Sequence, residues 1–161
     1  MMTLYKATWG KPLKWTSALL VALAVVNVFG MSFLPKGIPG WSLTLGQWVL
    51  PVIVLCCVPF IIRGYAITED SILIKRPFWT TRLDRAGLSS AQVIPQAMGK
   101  CLRTCGNGGG FSFTGWYWSK SLGSFRAFVT DQNRTVVLRF GKRTVVVSPD
   151  SPEDFVNELN R

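Results

Sequence analysis

Thr16–Leu34 reads TSALLVALAVVNVFGMSFL, with no charge and with Asn27 as its only strongly polar side chain. At about 1.5 Å rise per residue, a helix of this length crosses a hydrocarbon layer roughly 30 Å thick. A second uncharged stretch, Leu43–Ile62, reads LTLGQWVLPVIVLCCVPFII. Two such helices buried in a soluble core would need a large apolar partner. A chain of 161 residues cannot supply one. The pair therefore predicts a two-helix transmembrane hairpin over residues 1–62, with spans at about 16–34 and 43–62.

The flanks agree with that prediction. Trp9 and Trp15 precede the first span, and Trp41 and Trp48 lie near the start of the second. Indole rings favour the headgroup region. The connector PKGIPGWS is short and rich in Pro and Gly, as a tight helical hairpin requires. Pro51 and Pro59 are tolerable in a membrane helix, and a kink is expected at Pro51. A basic start followed by an apolar core is also the pattern of a secretion signal. No small-residue cleavage site follows Leu34 and a second span comes almost at once, so the first segment is read as an uncleaved anchor.

Charge sets the orientation. Lys6, Lys11 and Lys14 precede the first span, Lys36 stands alone in the connector, and Arg63, Lys75 and Arg76 follow the second. Positive residues stay on the cytoplasmic side, so a multi-pass protein of the cell (inner) membrane with both termini cytoplasmic is expected. Asn27 and Gln47 are the polar residues within the spans. With no ionisable group beside them they make no transport path. Each is expected to hydrogen-bond the facing helix or to lie near an interface, for about 1 kcal/mol or less.

Beyond Arg63 the composition changes. Charged residues are 16% of the chain, against about 25% in soluble domains, and all of the acidic ones lie from Glu69 onward. Of the net charge of +10, fourteen basic against eight acidic residues from Arg63 to Arg161 give that part +6. Such a balance suits an anionic membrane face or acidic partners. The four cysteines make no framework. Cys56 and Cys57 sit in the apolar run. Cys101 and Cys105 form a CxxxC pair in a chain without histidine, too few ligands for zinc, and are read as incidental thiols. No metal or cofactor is expected.

Apolar periodicity of two begins at Tyr65. Tyr65 and Ile67, a Glu69-Asp70-Ser71 turn, then Ile72 and Ile74 predict a hairpin. Further short strands are predicted over Thr80–Asp84, Ala91–Pro95, Phe111–Trp118, Gly123–Thr130, Thr135–Phe140 and Arg143–Val147, the last two joined at Gly141-Lys142. Gly106-Asn107-Gly108-Gly109-Gly110 reads as a loop. It lacks the Lys-Ser/Thr and the strand-to-helix setting of a phosphate loop. A final helix starts after Ser151 as cap, with Pro152 at its first position, Glu153 and Asp154 in its first turn, and Phe155 and Leu159 on one apolar stripe.

Several of these residues carry a family pattern. They are Tyr65-x-Ile67-Thr68-x-Asp70-x-Ile72-x-Ile74, then Gly106-Asn107-Gly108 with Phe111-Ser112, Gly115 and Trp116-Tyr117-Trp118-Ser119-Lys120. Leu122-Gly123, Arg126 and Thr130-Asp131 follow, then Val136-Val137-Leu138 and Ser148-Pro149-x-x-Pro152-Glu153-x-Phe155. In this order, over residues 63–161, they resemble the bacterial pleckstrin-homology-like (PH) domain family. The resemblance implies a mainly-β domain of about seven strands closed by a C-terminal helix, and no enzyme activity. Eukaryotic relatives of that fold hold phosphoinositides with basic residues around the first strand-to-strand loop. Here that loop is Thr68-Glu69-Asp70-Ser71, short and acidic, and would repel a phosphorylated headgroup.

Two surfaces stand out as candidate binding sites. Trp116 and Trp118 alternate away from Phe111, Phe113 and Tyr117, with Lys120 and Arg126 close by. Lys75, Arg76, Arg82 and Arg85 form a basic group just after the second span. No catalytic constellation is present: histidine is absent, the carboxylates are scattered and Ser148 has no base. Nucleic acid is not expected, since no recognition motif accompanies the charge. The sequence thus describes a non-enzymatic, membrane-tethered binding or scaffold module for anionic lipid headgroups or an unidentified protein partner. The alternative is a structural or regulatory subunit of a larger membrane complex, with the spans as its contact surface.

Overall fold

The computed structural model describes residues 2–30, 33 and 40–160. Strand β1 (Thr3–Lys6) precedes two long helices, α1 (Lys11–Gly30) and α2 (Gly40–Cys57). Strands β2 (Gly64–Ile67), β3 (Ser71–Lys75) and β4 (Thr80–Asp84) follow, and with β1 they form one antiparallel sheet in the order β1-β2-β3-β4. The second sheet holds β5 (Ser90–Val93), β6 (Leu102–Gly108), β7 (Phe113–Ser119), β8 (Gly123–Val129), β9 (Val136–Phe140) and β10 (Arg143–Val147). Its order is β5-β9-β10-β8-β7-β6, antiparallel except for the β10–β8 pair. Helix α3 (Pro152–Leu159) closes the domain.

The cores follow from the side-chain alternation. Tyr65, Ile67, Ile72 and Ile74 of the first sheet meet Phe128, Val136, Leu138 and Val147 of the second, and Phe155 and Leu159 of α3 plug the end. The opposite face of the second sheet is also buried: Tyr117, Phe125, Ala127, Val137 and Val146 lie under Met98. Burial on both faces explains why Val136-Val137-Leu138 and Val145-Val146-Val147 are unbroken apolar runs. Ser151 holds the cap position of α3 without a side-chain bond, so the expected hydroxyl cap is not made. The helix begins with the Phe155 amide donating to Ser151 O at 3.0 Å.

Ten strands are present among the described residues, against about seven expected after Arg63. Two explain most of the difference. β1 pairs with β2 in the register Thr3↔Ile67 to Lys6↔Gly64, so a segment before the helices completes the first sheet. β6 occupies the stretch read as a loop up to Gly108.

The helices differ from the expected spans in their limits. α1 begins at Lys11, where Gly10 ends the extended segment and Pro12 fits a first turn that needs no donor. α2 ends at Cys57 and tightens into a 3-10 turn over Val58–Phe60, because Pro59 lacks the amide a continuing α-helix would use. Pro51 lies inside α2. Residues 31, 32 and 34–39, including the end of the first expected span and Lys36 of the connector, lie outside the described residues. Among the described residues, α1 is the one helix long and apolar enough to cross a membrane. The apolar part of α2 and its final turn, Thr44–Phe60, is shorter.

α1 and α2 pack on each other through one stripe each. Leu13, Ser17 and Ala24 are the buried residues of α1, while Leu19, Val26 and Phe29 on its other faces are exposed. The small side chain of Ala24 allows close approach. The two polar residues bridge the pair. Gln47 Nε2 donates to Val28 O at 3.2 Å, and the Asn27 amide, oriented with its nitrogen toward α2, donates to Gln47 O at 2.9 Å and Gly46 O at 3.1 Å.

Candidate functional site

The junction between helices and domain is built by backbone contacts that glycine permits. The turn between β6 and β7 lies against both helices. Thr16 Oγ1 donates to Gly109 O at 3.0 Å, the Phe111 amide donates to Ser17 Oγ at 3.0 Å, and Ser112 Oγ donates to Phe60 O at 2.8 Å. Gly109 sits at φ +121°, which L side chains rarely adopt, and a Cβ at Gly110 would meet Cys57 Sγ and Leu20 Cδ2 at 3.3 Å. Gly109 and Gly110 of the glycine cluster therefore form a docking turn, while Gly106 and Gly108 lie in β6. Phe111 leaves the strand alternation, with φ 65°, and its ring lies 6.2 Å from that of Trp9.

On the N-terminal side a buried polar network holds the two parts together. The Gly10 amide donates to Thr130 O at 3.0 Å, and Thr130 Oγ1 donates to Thr8 O at 3.0 Å. Ser148 Oγ accepts from the Thr130 amide at 2.8 Å. The Tyr65 hydroxyl donates to Phe128 O at 2.7 Å and accepts from the Ser148 amide at 3.2 Å. Burial pushes the Tyr65 phenol up to about 12, partly offset by its bonds to Ser148 and Thr130. Ser148 is thus a structural acceptor of backbone amides.

Beside this network a cavity of about 610 Å³ opens between the helices and the β6–β8 face. Arg76, Arg103, Arg126 and Trp116 line it from the domain, and Leu20, Ile53, Cys56 and Phe60 from the helices. Arg76 is buried, and Phe60 and Trp79 meet edge to face at 5.7 Å beside it. Trp116 pairs with Arg126 across β7 and β8, and the Arg126 guanidinium lies 5.9 Å from the Trp116 ring. A second cavity, of about 400 Å³, lies on the far side of this pair and adds Arg82, Asp84, Phe140 and Arg143.

The eight residues singled out in the sequence separate here. Arg76, Arg82, Arg126 and Trp116 line the two cavities. Trp118 and Lys120 are exposed but stand outside both. Lys75 is half-buried on β3. Arg85 serves the closing helix instead, where its Nη2 donates to Leu159 O at 2.8 Å and satisfies a carbonyl at the end of α3. Sequence patterns do not point to Arg103, Phe60 or Trp79, which come to this place only through folding. The four cysteines are free thiols, and Cys101 donates to Met98 O at 3.1 Å, with burial raising its pKa. No group of metal-ligating side chains occurs among the described residues.

Residues 63–161 fit the model of the bacterial PH domain. The chain belongs to the bacterial PH domain family. No curated protein and no solved structure matches it. PH domains are in general binding and scaffold modules without enzyme activity. The turn between β2 and β3 is closed on itself in this bacterial PH domain. Thr68 Oγ1 bonds Ser71 O at 2.8 Å, and Glu69 and Asp70 stand at its tip. Three arginines of the domain, Arg76, Arg103 and Arg126, line the cavity at the junction with the helices.

Proposed function

We propose that this bacterial PH domain protein is a non-enzymatic binding module held at the cytoplasmic face of the cell membrane. In this reading α1 and α2 cross as a hairpin, and β1 with residues 63–161 forms the domain that contacts anionic lipid headgroups or a protein partner.

The observation that carries the proposal is the pairing of Lys6 with Gly64. Opposed residues in an antiparallel pair lie about 5 Å apart, so the chain enters α1 and leaves α2 at one place. If α1 crosses a membrane, α2 must bring the chain back. The exposed apolar side chains of both helices, such as Leu19, Val26, Leu45 and Leu55, support a hydrocarbon surrounding. Asn27 and Gln47 are paired between the helices, away from that surface.

Alkaline carbonate extraction of membranes carrying the full chain tests the anchor. The protein is expected to stay in the membrane pellet, and release into the supernatant contradicts the proposal. A second reading, a subunit of a larger membrane assembly, is favoured by an apolar groove of about 360 Å³ between Val21, Val25 and Phe29 of α1 and Trp48, Pro51 and Leu55 of α2. Purification in mild detergent should then recover a stoichiometric partner, and a clean monomer argues against it.

A further inference from the structure

Arg76 follows the last residue of β3 and carries its guanidinium inward. It is 8% exposed, and the guanidinium carbon lies 5.9, 5.4 and 5.1 Å from the ring centroids of Phe60, Trp79 and Phe128. Nε and Nη2 are buried and have no hydrogen-bond partner among the described residues. Aromatic faces attract a cation but leave its in-plane N–H donors unmet. A buried charged donor without an acceptor is among the costliest groups a fold can carry.

The neighbours deepen the deficit. Arg126 places its guanidinium 4.9 Å from the same Phe128 ring, and Arg103 lines the same cavity. Burial first, and then Arg126, draw the Arg76 pKa below the ordinary arginine value. An arginine still keeps its proton at neutral pH. No carboxylate is among the lining residues, so three like charges face one space. Arg103 and Arg126 are exposed and screened by solvent, whereas at buried Arg76 an anion supplied from outside the fold would relieve the repulsion. The opposite wall is apolar, with Leu20 from α1 and Ile53 and Cys56 from α2. A ligand that satisfies both walls has an anionic head and a hydrocarbon tail.

We propose that the cavity binds the phosphate of an anionic phospholipid, held by Arg76, Arg126 and Arg103, with an acyl chain lying along Leu20, Ile53 and Cys56. Guanidinium groups match phosphate oxygens in paired, charge-assisted hydrogen bonds. The proposal rests on the reading of α1 and α2 as membrane helices, which brings bilayer lipid to the cavity.

The test uses the full chain in nanodiscs of phosphatidylcholine, with phosphatidylglycerol added in increasing share, and follows thermal unfolding. The wild-type midpoint should rise with phosphatidylglycerol, and that of R76M should not. R126M, at an exposed position where folding is not at stake, should need about tenfold more phosphatidylglycerol for the same rise, equivalent to losing one charge-assisted hydrogen bond. K142Q, in the β9–β10 turn, should respond as wild type. Inorganic phosphate added to phosphatidylcholine nanodiscs should leave the wild-type midpoint unchanged.

A response kept by both arginine variants overturns the proposal, because membrane charge alone then explains it. A response to inorganic phosphate equal to that of the lipid overturns the choice of a lipid. Reconstituted protein indifferent to phosphatidylglycerol overturns the site while leaving the anchor standing. Protein that does not enter nanodiscs overturns the anchor, and this proposal with it.

Discussion

The domain meets the helices in two places that treat their polar groups differently. Where residues 3–10 join β2, β8 and β10, the buried side chains of Tyr65, Thr130 and Ser148 are hydrogen-bonded to one another and to backbone from both parts. At Arg76, a few residues further along the first sheet, the buried guanidinium has two nitrogens with no acceptor among the described residues and a second arginine beside it. The first place fixes how the domain stands on the helices. The second carries an unmet charge that the fold could have replaced with an apolar side chain at lower cost. Rigid, satisfied seams and unsatisfied charges are complementary, since an arginine can select an anion only if its surroundings hold it still.

The largest expected effect breaks the seam. In Gly64→Val a Cβ would stand 2.7 Å from Tyr5 O, so β1 must leave β2 or both must shift. The expected cost is about 3 kcal/mol, the upper end for forced overpacking. The denaturant midpoint should fall, and hydrogen exchange should speed up at Thr3–Lys6.

Tyr65→Phe removes the hydroxyl alone and strands Phe128 O and the Ser148 amide, at about 2 kcal/mol. It also carries a pH signature. The Tyr65 phenol is raised to about 12 when folded, against about 10 when unfolded. Its contribution is therefore fully present below pH ~10 and lost as pH rises toward 12. Tyr117, also pushed up to about 12 by burial, acts in the same sense. Alkaline titration of stability should be shallower in Y65F than in wild type but not flat.

Arg76→Met moves in the other direction. With the unmet charge replaced by an apolar chain, stability in uncharged detergent should rise by about 1 kcal/mol. A loss of that size would mean the guanidinium is already satisfied. Thr16→Val is the mildest change: it removes the 3.0 Å bond to Gly109 O and should cost about 1 kcal/mol or less while loosening the β6–β7 turn in hydrogen exchange.

Much of the domain was legible because its signals are local. The alternation of Tyr65, Ile67, Ile72 and Ile74 around a Thr68–Ser71 turn gives β2 and β3, and the apolar pair Phe155 and Leu159 after Pro152 gives α3. β1 was not legible, since Thr3–Lys6 is four residues long and its partner lies beyond both helices. β6 carries Gly106, Gly108 and exposed polar residues, with no period of two to read. At the site, alternation along β7 correctly separated exposed Trp116 and Trp118 from buried Tyr117. It could not place Phe111, which turns out of the strand toward Trp9. Nor could charge counting tell Arg76, buried among rings, from Arg85, bonded to the end of α3, because partners distant in sequence decide each fate.

Labelling of single cysteines from the two sides of a membrane tests the hairpin most directly. In a background with the native cysteines replaced, M2C and N157C should react with an impermeant maleimide from the cytoplasmic face only, and K36C from the opposite face only. Reaction of M2C and N157C from opposite faces, or of all three from the same face, would contradict a domain tied to both ends of a membrane-crossing helical pair.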